Sequence, residues 1–65
     1  MSEEEAIRDC VRDLNKHELR ASLIWHRDNA EHCRDTGDHR AYVRHLFIVA
    51  AICEELAKRK GVFVA

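Results

Sequence analysis

Between Ser2 and Lys60 the chain contains no proline and a single glycine, Gly37. Proline breaks helices and glycine weakens them, so this sequence is free to be helical almost throughout. What divides it is capping chemistry. Ser2 precedes Glu3, Glu4 and Glu5, an N-cap followed by carboxylates that the helix dipole favours in a first turn. Asn15-Lys16-His17-Glu18 has the capping-box spacing, with a side-chain oxygen at the cap and a glutamate three residues on. At Thr36-Gly37-Asp38 the glycine can take the left-handed conformation that ends a helix, and the aspartate can cap the next. Lys58, Arg59 and Lys60 suit a C-terminal turn, and Gly61 follows as a stop.

Apolar residues recur at helical spacing between these points: Ile7, Cys10, Val11 and Leu14 in the first segment, then a stripe expected to be buried in the second, Leu19, Leu23, Ala30 and Cys33 with His26 among them. The spacing predicts helices over about 3–14, 16–36 and 39–60, with an apolar tail at 62–65, in one domain spanning 1–65. Connections this short force neighbouring helices to run antiparallel. The expected fold is an all-α, antiparallel three-helix bundle with a short first helix and two longer ones.

Sixty-five residues lie near the lower limit for a self-sufficient core. The formal net charge is -1 with the signs interleaved, which argues against nucleic acid or an anionic membrane as a partner. The opening "MSEEEAIRDC" has no basic or apolar region of the secretory type. With three cysteines and no export signal, the expected setting is cytoplasmic with reduced thiols. Nothing in the chain has the spacing of a phosphate loop, a nucleophile elbow or a Cys/His dyad, and no enzymatic activity is expected.

One stretch conflicts with a simple bundle. In a chain that is 35% charged, "HLFIVAAIC" contains no polar residue from Leu46 to Cys53. This run is far short of the roughly 20 residues a membrane span needs. At about 100° per residue, Tyr42, Val43, Leu46, Val49, Ala50, Cys53, Leu56 and Ala57 share one broad face, taken as the core. Ala41, His45, Ile48 and Ile52 then fall on the far side, and Trp25 lies off the stripe of the second helix. Leaving a large aliphatic side chain wet forgoes about 1.5–3 kcal/mol. The expectation is therefore a contact surface made of Trp25, Ala41, His45, Ile48 and Ile52, which docks a protein partner or a second copy, a dimer being favoured. Ordinary isolated exposure, or a tail folded back over Ile52, would remove the need for it.

Five histidines and three cysteines raise a second reading, a zinc-binding mini-protein. No Cys-x-x-Cys or His-Glu-x-x-His motif occurs. Asp28 with His32 is the best-spaced helical pair, and His45 would reach it from a neighbouring chain or from a differently rotated helix. His26 and Cys33 complete the candidate ligand set, although seven residues separate them, about 10.5 Å along the axis. The plainer roles are a half-buried, hydrogen-bonded His26 and three cysteines acting as small core hydrophobes. Cys10 and Cys53 fall at similar heights on different helices, where a disulfide would be conceivable and Cys33 would stay unpaired. A scaffold with no ligand is the third reading.

The segment "AEHCRDTGDHRAYVRHLFIVAAICEELAKRKG" resembles one helical hairpin of a tetratricopeptide unit, through Ala30, the Gly37-Asp38 turn and an apolar helix after it. A single hairpin rules out a solenoid. The "SEEEA" opening, the "TGD" turn and the "EELAKRKG" ending resemble de novo designed helical bundles more closely, over roughly a third of the chain. Trp25, His26, His32, Cys33, His45, Ile48 and Ile52 depart from such surfaces, where glutamate and lysine are usual. The resemblance implies a surface rebuilt for target binding, self-assembly or metal-mediated pairing.

Overall fold

The computed structural model describes residues 2–60, which form α1 (Glu3–Asp13), α2 (Lys16–Thr36) and α3 (His39–Lys60). The tail expected at 62–65 lies outside the described residues. Each helix starts where its cap demands. Ser2 Oγ accepts from the Glu5 N–H at 3.2 Å. Asn15 and Glu18 complete a reciprocal box: the Glu18 N–H donates to Asn15 Oδ1 at 2.8 Å, and the Asn15 N–H donates to Glu18 Oε1 at 2.9 Å. α2 stops at Gly37, whose φ of 84° is left-handed. The Gly37 N–H donates to the Arg34 carbonyl and the Asp38 N–H to the Cys33 carbonyl, the paired bonds of a Schellman ending. Asp38 Oδ1 then accepts from the Ala41 N–H and caps α3.

The helices pack as an antiparallel three-helix bundle with a short first helix, in which the α2/α3 hairpin supplies most of the packing. α1 lies along α3 and runs parallel to it. Glu3 at its start accepts from Arg44 Nε at 2.6 Å, and Arg8 sits over the Phe47 ring, 5.9 Å from its centroid. At its end the Arg12 carbonyl accepts from Arg59 Nη2 at 3.1 Å. That last contact places a cation on carbonyls that a helix C-terminus leaves unpaired.

The core is small: Val11, Leu19, Ala51 and Ile52 are buried, with Ile7, Leu14, Leu23, Ile48 and Leu56 packed against them. This corrects the expected rotation of α3. Ile52 has no exposed surface and Ile48 packs on the core. Of the expected core face, Leu56 packs inward, Tyr42 and Val49 are half-buried, and Val43, Leu46, Ala50 and Cys53 face outward. The reason is volume. Two isoleucines spaced i,i+4 match Leu19 and Leu23 at the same spacing on α2, while the opposite face offers Ala50, Cys53 and Ala57 at its centre. Burying the larger pair removes more apolar area from water. The same rotation turns Arg44 and Arg59 toward α1.

Candidate functional site

Two surfaces stand apart from the core, one apolar and one built from aromatic and imidazole rings. The apolar one is the outer face of α3. Val43, Leu46, Ala50, Cys53 and Ala57 step by three and four residues, so they form one line along the helix. Val43 is 49% exposed and Leu46 43%; Ala50 and Cys53 are exposed and Ala57 half-buried. Half-buried Tyr42 and Val49 flank the line on the α2 side.

The second surface lies where α2 and α3 pack together, on the half of the hairpin nearer the Gly37 turn. His26 of α2 and His45 of α3 are half-buried, with their Nδ1 atoms 2.8 Å apart. In the neutral pair one Nδ1 carries a hydrogen and donates while the other accepts, which requires opposite tautomers. Burial, and then the neighbouring His45, lower the proton affinity of His26 below that of an ordinary imidazole. Trp25, 58% exposed, stands edge-on to both rings, with centroids 4.8 Å from His26 and 5.8 Å from His45.

The expected contact surface is thus dispersed. Trp25 is exposed, but Ala41 and His45 are half-buried, Ile48 packs on the core and Ile52 is sealed inside. The apolar excess of α3 lies on the opposite face, along the line through Leu46. The signal that would have found it is matched spacing: Ile48 and Ile52 stand i,i+4 opposite Leu23 and Leu19, while Leu46 is followed along its own line by Ala50, Cys53 and Ala57.

The expected zinc set is also rearranged. His45 meets His26 within the chain, and no neighbouring chain is needed for that contact. Asp28 and His32 are exposed, and Cys33 is half-buried with a free thiol. Among the described residues no group of three or more His, Cys, Asp or Glu side chains is placed to hold one ion. Cys10 and Cys53 are exposed free thiols, outside the core and unbonded to each other; α1 covers the side of α3 that Cys53 faces away from. His17 and His39 lie exposed in first turns. No described helix is long and apolar enough to cross a membrane. Comparisons with protein-family models, with curated proteins and with solved structures found no match for this chain.

Proposed function

We propose that this chain is a non-catalytic helical interaction module that pairs with a second copy of itself through the outer face of α3. The observation that carries the reading is the exposed line Val43, Leu46, Ala50, Cys53, Ala57. Its alternating steps of three and four are the spacing of a two-helix seam. The sizes along it are graded, with Val43 and Leu46 at one end and Ala50, Cys53 and Ala57 at the other. A self-pair is complementary when the two helices run antiparallel about a two-fold axis at Ala50. Val43 then meets the second copy's Ala57, and Leu46 meets the second copy's Cys53. A parallel pair would instead crowd large against large and leave small against small.

The pairing is weak by its own arithmetic. Val43 and Leu46 are each about half exposed, so covering them contributes about 1 kcal/mol apiece in each copy. Association costs at least about 4 kcal/mol in lost rigid-body freedom, which offsets the roughly 4 kcal/mol from these four side chains. The net affinity is therefore weak and rests on the area of Ala50, Cys53, Ala57, Tyr42 and Val49 covered with them.

Sedimentation equilibrium from 10 µM to 1 mM tests this. The expected result is a reversible monomer–dimer equilibrium that Leu46→Glu abolishes. A monomer throughout that range, or a dimer indifferent to Leu46→Glu, overturns the reading. Orientation has its own test. In a Cys10→Ser, Cys33→Ser background, Leu46→Cys sets the new thiol against the second copy's Cys53, and mild oxidation links the copies. The same background without Leu46→Cys stays unlinked, because antiparallel pairing holds the two Cys53 thiols apart.

A further inference from the structure

We propose that the facing Nδ1 atoms of His26 and His45 form a two-nitrogen chelate for a divalent transition ion of the Ni(II) or Cu(II) type, with water in the remaining coordination positions. The inference rests on a distance. Two nitrogens each about 2.0–2.1 Å from one ion, at the right angle of square-planar or octahedral geometry, stand about 2.9 Å apart. The two Nδ1 atoms are 2.8 Å apart. A tetrahedral ion needs about 3.4 Å between the same atoms, so zinc requires the rings to part by roughly half an ångström.

The chelate is preorganised by the fold. His26 and His45 come from the two helices that make most of the packing contacts, so their backbones are held by the bundle itself. Each ring is half-buried, and Trp25 restricts both from one side. Binding costs no net proton. The ring that donates through Nδ1 in the metal-free pair shifts that hydrogen to its Nε2. The rings turn by up to roughly 45°, so that the two Nδ1 lone pairs, which face one another in the hydrogen bond, converge on the ion. With only two protein ligands and no carboxylate in the set, the ion exchanges readily and keeps open positions for water or a small ligand.

Trp25 is the sole tryptophan of the chain and stands against both rings, so its fluorescence reads the site directly. Titration with Ni(II) chloride at pH 7.5 is expected to quench it saturably, with one ion per chain. Affinity should fall at least tenfold in His26→Gln and in His45→Gln, and stay unchanged in His32→Gln. The site lies within one chain, so Leu46→Glu leaves it intact, which separates this inference from the pairing proposed above. Quenching that does not saturate, or that weakens as much in His32→Gln as in His45→Gln, overturns the chelate. Should the histidine variants fail to fold, NMR of the unaltered chain decides. Substoichiometric Ni(II) must broaden the ring resonances of His26 and His45 first; broadening led by His17, His32 or His39 overturns the proposal.

Discussion

Truncating Ile52 to alanine tests the feature on which the bundle depends, the rotation of α3. The side chain is fully buried among Val11, Leu19 and Ala51. Ile52→Ala removes three carbon groups at about 0.8 kcal/mol each. A residual cavity of ~50 Å³ adds about 1.2 kcal/mol at roughly 24 cal/mol per Å³. The expected loss is about 3.5 kcal/mol, inside the ~2–5 kcal/mol range of such truncations. A domain of this length has a total stability of about 3–10 kcal/mol, so the variant loses between a third of it and all of it. In melting temperature this is a fall of roughly 15–28 °C. Leu46→Ala, on the half-exposed outer line, should cost under about 1 kcal/mol. Urea unfolding followed by far-UV circular dichroism at 5 µM, where pairing is negligible, compares the two. If Ile52→Ala is unfolded in water, Ile52→Val gives a graded version at about 0.5–1.5 kcal/mol. A larger loss from Leu46→Ala than from the Ile52 variants would mean that α3 buries its other face, and the surface assignments would fall with it.

Two further outcomes follow from local chemistry. Gly37 has φ of 84° with nothing within 4 Å of where a Cβ would stand, so Gly37→Ala meets no steric clash. It should still cost about 1–2 kcal/mol for the left-handed backbone, and Gly37→Asn less, both read as shifts in urea midpoint. The second outcome concerns pH in metal-free buffer. His26 binds a proton less readily when folded than when unfolded, so its contribution to stability is complete above the unfolded value near 6.5. As pH falls through that value the unfolded chain takes up the proton first and stability drops. Thermal melts at pH 8 and pH 5.5 should show this drop, and His26→Gln should flatten it. An unaltered slope in that variant would refute the assignment to His26.

Much of the architecture is readable residue by residue. Ser2, Asn15, Gly37 and Asp38 act through atoms within a few positions of themselves, and the helix bounds they imply match the structure to within one residue, at Leu14. There the backbone is already extended (φ -79°, ψ 143°). The stripe of α2 was equally legible, since Leu19, Leu23, His26, Ala30 and Cys33 are all buried or half-buried. On α2 most other positions are polar, and the apolar exceptions Ala21, Ile24 and Trp25 lie off the stripe and stay exposed, so one inward face stands out.

α3 differed because it is apolar around most of its circumference between Leu46 and Cys53, and periodicity cannot orient a helix whose sides are alike. The bundle resolved that ambiguity through contacts distant in sequence. Ile48 and Ile52 fill the space opposite Leu23 and Leu19, and Arg44 and Arg59 reach Glu3 and the Arg12 carbonyl. From that single rotation came the meeting of His26 with His45, the exposure of Leu46 and the separation of Cys10 from Cys53. Local hydrogen-bonding chemistry determined where each helix begins and ends, because its partners lie within a turn. Which side of α3 became the interior was decided only when three helices competed to bury the most volume.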